Sequence, residues 1–141
     1  MSKRWIAAAA HALIKKGSKY LILQRAAGEK YMPMAWDIPG GVINFKEEIL
    51  HALYREVMEE TGIKVRQKKL LFVYGNRPKL LNSHHFQLIF LCHYVSGKIR
   101  LSRDHRDYRW VTLKELQKIK TIHFLNAYLK DFKNGNRGLS N

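Results

Sequence analysis

The chain has 141 residues, of which 46% are hydrophobic and 26% are charged, and its 26 Lys and Arg residues outnumber 11 Asp and Glu residues to give a formal charge of +15. This length fits a single domain over residues 1–141 with a real hydrophobic core, and the composition excludes a disordered chain. The single cysteine, Cys92, excludes an internal disulfide framework and suits a reducing cytoplasm, where we expect it to be a small core residue. The charge favours polyanionic partners such as nucleotides or nucleic acid.

The first 25 residues predict a β-hairpin. Lys3 and Arg4 precede an alanine-rich apolar stretch, which gives this segment a superficial likeness to a signal peptide. The stretch leads through a Gly/Ser turn into a second apolar run, however, so we predict strands at residues 5–14 and 20–24. No run approaches the ~20 apolar residues that a membrane span needs, and we expect no membrane partner.

The rest of the chain mixes strands and helices. A long loop over residues 25–41 leads into a helix that ends near residue 62. Further elements follow in this order: strands at 69–74, 84–95, 99–101 and 108–113, a short helix from Leu113, a helix at 122–132 and a frayed tail at 134–141. Strands and helices do not alternate regularly, which argues against a doubly wound sheet.

The first helix concentrates the scarce acidic residues, since five of the 11 lie between Glu47 and Glu60. Asn44 is a suitable N-cap that Glu47 can complete as a capping-box-like pair, and Gly62 supplies a left-handed stop. At about 100° per residue, one apolar stripe is predicted to face the core. It consists of Leu50, Leu53, Tyr54, Val57 and Met58.

Glu56, Glu59 and Glu60 stand at i, i+3 and i+4 and should share a face beside that stripe, where the small Ala52 leaves room for an approaching group. On an exposed face these like charges cost only a few tenths of a kcal/mol each, so a solvated acidic surface stays open. Partly buried, at ~6 Å and an effective dielectric of about 20, a pair would repel by on the order of 3 kcal/mol, which demands a cation. Arg55 alone does not offset three carboxylates.

A longer pattern surrounds the glutamates. Gly41, five residues, Glu47, seven residues and the run "REVMEETGI" at residues 55–63 together resemble the signature of the Nudix (MutT-like) hydrolases. Three further segments resemble the family: "YLILQR" at 20–25, "WDIPGG" at 36–41 and "DYRWVTLKEL" at 107–116. The resemblance implies the Nudix fold, an α+β protein arranged as an α/β/α sandwich around a mixed β-sheet.

The resemblance also implies chemistry. Relatives hold Mg²⁺ or Mn²⁺ on the glutamates matching Glu56, Glu59 and Glu60, and cleave a diphosphate linkage with water. Such cations prefer carboxylate oxygens and leave positions for water and substrate phosphates. In the family the residue matching Arg55 orients the first glutamate, whereas Glu47 is structural or lies outside the ligand set.

Glycines and a late carboxylate complete the expected site. Gly40 and Gly41 lack a Cβ and so let the backbone pass close to a metal and to phosphates, with Gly40 predicted at the metal. Many relatives add a carboxylate from the loop before the last strand. Here we favour Asp104 over Asp107, with a loop turn as the alternative role for Asp104. The general base stays open between Glu56 and Asp104.

Substrate contacts are less strongly marked in the sequence. The basic candidates can also be solvated surface charges, and Trp36 can either stack a base or anchor its loop in the core. His84 and His85 alternate faces and lack partners at zinc spacing. The candidate substrate-binding positions are Arg25, Trp36, Gly41, Arg77 and Lys79.

The expected function is pyrophosphohydrolysis of a nucleoside triphosphate to the monophosphate and pyrophosphate. ADP-ribose or a nucleotide sugar is the alternative substrate; Pro78 in its loop favours it only weakly. The clusters "KVRQKK" and "SRDHRDYR" also motivate an RNA 5′-end pyrophosphohydrolase or a nucleic-acid-binding module, although no zinc finger, RNP-type aromatic motif or GXXG loop supports the module. The sequence leaves monomer and homodimer open.

Overall fold

The computed structural model describes residues 3–77 and 82–135. Within them the elements are β1 Trp5–Lys16, β2 Lys19–Arg25, β3 Trp36–Asp37, β4 Gly40–Val42, α1 Ile49–Thr61, β5 Lys64–Asn76, β6 Ser83–Ser96, β7 His105–Thr112, α2 Leu113–Leu116 and α3 His123–Lys133. No helix in this part of the chain is long and apolar enough to cross a membrane. Pro78, Lys79 and the predicted tail from residue 136 onward lie outside the described residues.

The strands form a mixed sheet around β1. This strand runs parallel to β6, with Trp5 opposite Ser83 and Lys15 opposite His93. It is antiparallel to β2 at their hairpin and to β4 near its middle. The sheet continues antiparallel from β6 to β5, and from β2 to β3 and β7. The middle of β1 therefore has the parallel partner β6 on one side and the short strand β4 on the other.

Helices cover both faces of the sheet. Successive side chains of a strand point to opposite faces, so β1 contributes to two separate cores. The core under α3 includes Leu13, Ile22, Ile89, Leu125 and Tyr128. The core under α1 includes Ala12, Ile14, Leu21, Leu53, Val57 and Cys92. This is the α/β/α sandwich that the sequence predicts, with Cys92 buried as expected.

The start of α1 differs from the prediction. Asn44 is not the N-cap; Glu48 occupies that position without a side-chain cap. Residues 44–47 instead form a tight turn in which the Asn44 N–H donates to the Glu47 carboxylate at 3.0 Å and the Glu47 N–H donates to the Asn44 carbonyl at 2.9 Å. At the other end Gly62 is the left-handed cap that the sequence predicts, with φ of 73°.

The buried face of α1 is also rotated from the predicted stripe. Leu50, Tyr54 and Met58 are 40%, 39% and 43% exposed. The helix buries Ala52, Leu53, Val57, Glu60 and Thr61. Ala52 is fully buried, so the prediction that it leaves room for an approaching group was wrong. The rotation brings Glu60 toward the interior.

The predicted loop over residues 25–41 contains β3 and the start of β4, and three strand predictions also need correction. Residues 99–101 form no strand; they run along the end of α1, where the Arg100 N–H donates to the Thr61 carbonyl at 2.8 Å. Strand β5 begins at Lys64 and β7 at His105, each earlier than predicted. The added residues of β5 pair with β6, and those of β7 pair with β2. This pairing stabilises the strand conformation although the added residues are mostly polar.

Candidate active site

A cavity of about 380 Å³ lies where α1, β4, the middle of β1 and the segment before β7 meet. Its wall is rich in titratable side chains, which is the pattern expected of a functional site. The residues that line it include His11, Arg25, Asp37, Glu56, Glu60 and Asp104.

Glu60 is the buried carboxyl group of this cavity. Its Oε1 accepts the Gly40 N–H at 2.8 Å, and its Oε2 lies 3.2 Å from Nδ1 of His105. Burial is the main cause that raises the pKa of Glu60 to about 9, and the nearby carboxylates of Asp37, Glu56 and Asp104 add to it against the Gly40 hydrogen bond. Glu60 is therefore protonated at pH 7 unless a cation compensates for these carboxylates.

His105 lies behind Glu60 and is also buried. Burial, followed by the charge of Arg25, lowers the pKa of His105 to about 4. At pH 7 both the imidazole of His105 and the carboxyl group of Glu60 are uncharged, so their 3.2 Å contact is not an ion pair. A cation in the cavity would ionise Glu60 without needing His105 to change charge.

Glu56 is held between Gly41 and Arg55. Its Oε1 accepts a hydrogen bond from Arg55 Nη1 at 2.8 Å. A Cβ added at Gly41 would lie 2.5 Å from Cδ of Glu56, which is closer than any real contact. Only glycine at position 41 therefore leaves this carboxylate where it is. The backbone at Gly41 was predicted to approach another group closely, and that group is the Glu56 carboxylate.

Arg55 also connects α1 to the turn before it. Its guanidinium makes two hydrogen bonds to Glu47, at 2.7 and 2.8 Å, and donates to the Val42 carbonyl at 3.2 Å. These bonds, together with the Asn44 N–H, hold the pKa of Glu47 well below its usual range. Glu47 thus anchors Arg55 and lies outside the cavity lining, which agrees with its predicted structural role.

Glu59 is separated from the other two glutamates. Its side chain is 57% exposed, and its oxygens lie 3.4 Å from Arg55 Nη1. Because consecutive helical residues differ by about 100°, Glu59 cannot share the buried orientation of Glu60. Over residues 3–77 and 82–135, no group of three or more His, Cys, Asp or Glu side chains can hold a metal ion as placed. Of the three predicted glutamates, Glu56 and Glu60 line the cavity and Glu59 does not.

Asp104 reaches the cavity because its segment is tied to the end of α1. The Arg100 and Ser102 N–H groups donate to the carbonyls of Thr61 and Glu60, at 2.8 and 3.2 Å. The carbonyl of Asp104 accepts the Ala26 N–H at 2.9 Å, which fixes the segment to β2 as well. Asp107 lies outside this cavity and accepts the Tyr108 N–H at 2.8 Å, in line with its predicted structural role.

The predicted substrate contacts separate into three groups. Arg25 lines the cavity, where it donates to Asp37 at 3.2 Å. Trp36 does not: it is buried in the core under α3, with the guanidinium of Arg109 4.8 Å from its ring centroid, so the core-anchor alternative is right. Arg77 lines a different cavity at the start of β1, about 20 Å along that strand from His11. The substrate role predicted for Arg77 is therefore not supported, and Lys79 lies outside the described residues.

Sequence reasoning missed His11, Asp37 and His105. The Oε1 atom of Gln87 only accepts, so Nε2 of His11 donates to it at 2.7 Å; the ring also stacks on Phe124 at 4.1 Å. Burial lowers the pKa of His11 to about 4 and raises that of Asp37 to about 6. A lone histidine within the apolar run of β1 was the available signal for His11. Nothing in the sequence placed its ring at the cavity.

Comparison with known proteins agrees with this geometry. The NUDIX domain family matches residues 4–132. The ADP-ribose pyrophosphatase of Methanocaldococcus jannaschii is 28% identical over 134 residues, which cover 92% of this chain and 76% of that protein. The 8-oxo-dGTP diphosphatase of Buchnera aphidicola subsp. Schizaphis graminum is 30% identical over 105 residues, which cover 74% of this chain and 75% of that protein.

A solved structure of a MutT protein has the same fold. The crystal structure of the MutT protein from Methanosarcina mazei Go1 superposes with a TM-score of 0.82 at 24% identity, over 97% of this chain and 99% of that chain. The sequence resemblance and the predicted sandwich are confirmed. The chain therefore belongs to the NUDIX family and is a pyrophosphohydrolase of nucleotide compounds.

Proposed function

We propose that this enzyme hydrolyses a nucleoside triphosphate to the monophosphate and pyrophosphate, and that it depends on a divalent cation. The observation that carries the proposal is the meeting of Glu56, Glu60 and Asp104 at one cavity beside Gly40 and Gly41. These residues come from three separate parts of the chain. Gly41 keeps the backbone close to the Glu56 carboxylate without a Cβ between them, and Gly40 lets the backbone pass close to Ala10 and His11 of β1.

The donor set of the cavity fits Mg²⁺ or Mn²⁺. The acidic residues that line it are Glu29, Asp37, Glu56, Glu60 and Asp104, so their donors are carboxylate oxygens, the ligands that hard divalent cations prefer. Among the described residues, Arg25 is the only Lys or Arg in this lining. It already contacts Asp37 at 3.2 Å and Glu29 at 3.6 Å, which leaves Glu56, Glu60 and Asp104 without a compensating cation from this lining. Arg55 contacts one oxygen of Glu56, which already lines the cavity. Glu59 lies outside this lining and must turn away from the guanidinium of Arg55 to join the ligands.

The residues of the chain have distinct tasks in this hydrolysis. Glu56, Glu59 and Glu60 would hold the cation, with Gly40 as a further predicted contact. When bound, the cation neutralises charge on the phosphates and lowers the pKa of the attacking water. Glu56 or Asp104 accepts the proton of that water.

The water oxygen then bonds to the attacked phosphorus. The bridging P–O bond breaks and its electron pair leaves with the pyrophosphate. Arg55 holds Glu56 in position, and Gly40 holds Glu60 through its N–H.

Two substrate classes compete for this cavity. A volume of about 380 Å³ is near the lower end of the range for small-molecule sites, which favours a substrate with one nucleoside over ADP-ribose with its second sugar. ADP-ribose is the second candidate, because the Methanocaldococcus jannaschii relative that matches 92% of the chain is an ADP-ribose pyrophosphatase. The products distinguish the two, since only the triphosphate releases pyrophosphate.

The test is a product analysis over a panel of nucleoside triphosphates and ADP-ribose, with Mg²⁺, with Mn²⁺ and with EDTA. Glu56→Gln and Glu60→Gln should each lower kcat by about 100-fold or more, as loss of a group that acts at the reacting centre does. Glu48→Gln is the matched control, because this exposed residue at the start of α1 makes no side-chain cap. Wild-type turnover by both variants, or turnover that persists in EDTA, would overturn the proposal.

A further inference from the structure

Four adjacent strands of the sheet carry no acidic side chain. β2, β1, β6 and β5 lie next to one another, and none of them contains Asp or Glu. The sequence has no acidic residue at all over residues 1–28 or 61–103. The basic residues of β5 are Lys64, Arg66, Lys68 and Lys69. The positive charge of the protein is therefore concentrated on this part of the sheet.

One group of basic side chains crosses three of these strands. His93 of β6 is opposite Lys15 of β1 on one side and opposite Arg66 of β5 on the other. Directly opposite residues share a face, with neighbouring strands about 4.8 Å apart. Lys68 is the extra residue where the pairing of β5 shifts. We call Lys15, Arg66, Lys68 and His93 the basic row.

The three cations of the basic row lie close enough to His93 to act on its charge. Partial burial is the main cause that lowers the pKa of His93, and the charges of Lys68, Lys15 and Arg66 lower it further. Like charges that face one another across strands destabilise a sheet. Arg66 and Lys68 are exposed, and neither has a salt-bridge partner within residues 3–77 and 82–135. An anion bound along the row would relieve this repulsion.

We infer that the basic row binds the phosphate backbone of single-stranded nucleic acid. Three cations spread over neighbouring strands suit a polymer with a phosphate at every residue better than a single small anion. The guanidinium of Arg66 and the imidazole of His93 are planar groups that can stack on exposed bases. The headgroups of an anionic lipid surface offer no such partner, so nucleic acid is the better match.

The basic row is separate from the hydrolytic cavity. Lys15 lies four residues beyond His11 on β1, which is about 13 Å along the strand. The row contributes no residue to the lining of that cavity. A strand of several nucleotides bound on the row can therefore extend toward the cavity without occupying it.

The test measures binding without hydrolysis. A fluorescent 12-nucleotide RNA with a 5′-hydroxyl end has no diphosphate linkage, and EDTA removes divalent cations. Anisotropy then gives Kd at NaCl concentrations from 50 to 200 mM for the full-length chain. The variant Arg66→Ser/Lys68→Ser removes two charges from the row. Lys114→Ser/Lys118→Ser removes two exposed charges around α2 and is the matched control for net charge.

Each phosphate contact on a single strand contributes about 0.7 to the slope of log K against log salt, so loss of two should lower the slope by about 1.4. The increase in Kd between 50 and 200 mM NaCl should then be about sevenfold smaller for Arg66→Ser/Lys68→Ser than for the wild type. The control variant should keep the wild-type slope. Thermal unfolding of both variants checks that they are folded.

Three results would overturn the inference. The first is that the wild type does not bind the RNA at 50 mM NaCl. The second is that the salt slope falls equally in both double variants. The third is that anionic vesicles bind through Arg66 and Lys68 and RNA does not. None of these measurements depends on turnover. Failure of the proposed hydrolytic function would therefore leave the result on RNA binding unchanged.

Discussion

Replacing Glu60 by glutamine should stabilise the metal-free protein and abolish hydrolysis. The pKa of Glu60 is raised to about 9 from an ordinary value of 4.5, mainly by burial. Between these two pH values the folded chain keeps a proton on Glu60 that the unfolded chain has released, so stability falls as pH rises. From the ordinary pKa of 4.5 to pH 7 is 2.5 pH units, so at pH 7 the free energy of unfolding has fallen by about 3 kcal/mol at 1.36 kcal/mol per unit. The amide of the Glu60→Gln variant does not titrate, and its oxygen can still accept the Gly40 N–H, so the variant avoids this loss.

The assay is urea unfolding in EDTA at several pH values between 5 and 8.5. The free energy of unfolding of the wild type should fall relative to Glu60→Gln by up to about 1.4 kcal/mol per pH unit. Glu59→Gln is the matched control, because the Glu59 side chain is 57% exposed and its change should leave the pH dependence as in the wild type. Parallel curves for wild type and Glu60→Gln would show that Glu60 is not protonated in the folded protein.

Two further substitutions test how Glu56 is held. Gly41→Ala should lower kcat/KM by about 100-fold, since the added Cβ meets the Glu56 carboxylate at 2.5 Å and displaces it by about 1 Å. Gly28→Ala, where nothing lies within 4 Å of the added Cβ, should leave kcat/KM within a factor of about three; equal values for the two variants would refute the steric reasoning. Arg55→Lys should lower kcat by about tenfold or more, because lysine cannot reproduce the paired hydrogen bonds to Glu47 together with the bond to Glu56. Wild-type kcat in Arg55→Lys, measured at saturating substrate, would show that this clamp does not position Glu56.

The sequence predicts the layers of this fold because apolar runs and turns are local signals. The hairpin of β1 and β2 and the left-handed end of α1 at Gly62 follow from residues within a few positions of each other. The long extent of β5 does not, since its first residues are polar and gain order from pairing with β6. The start of α1 was misplaced for a related reason. The Asn44 and Glu47 pair satisfies the hydrogen bonds of a turn that mimics a capped helix start.

The sequence predicts which types of residue form the candidate site, but it predicts their arrangement in space less well. Spacing places Glu56 and Glu60 on neighbouring positions of a helix, but it does not say which of them is buried. That depends on which edge of α1 meets β4 and the segment before β7, a tertiary contact with no local signal. Asp37 and His11 were missed because the folded sheet, and not the sequence around them, brings them to the cavity.

The bonds from Arg100 and Ser102 to the last turn of α1 make the segment between β6 and β7 a spacer of fixed length. Surface connections usually tolerate added or deleted residues at little cost. A one-residue insertion after Ser102 would instead move Asp104 away from its position beside Glu60 while leaving both strands intact. Length differences among active homologues should therefore be absent from this connection.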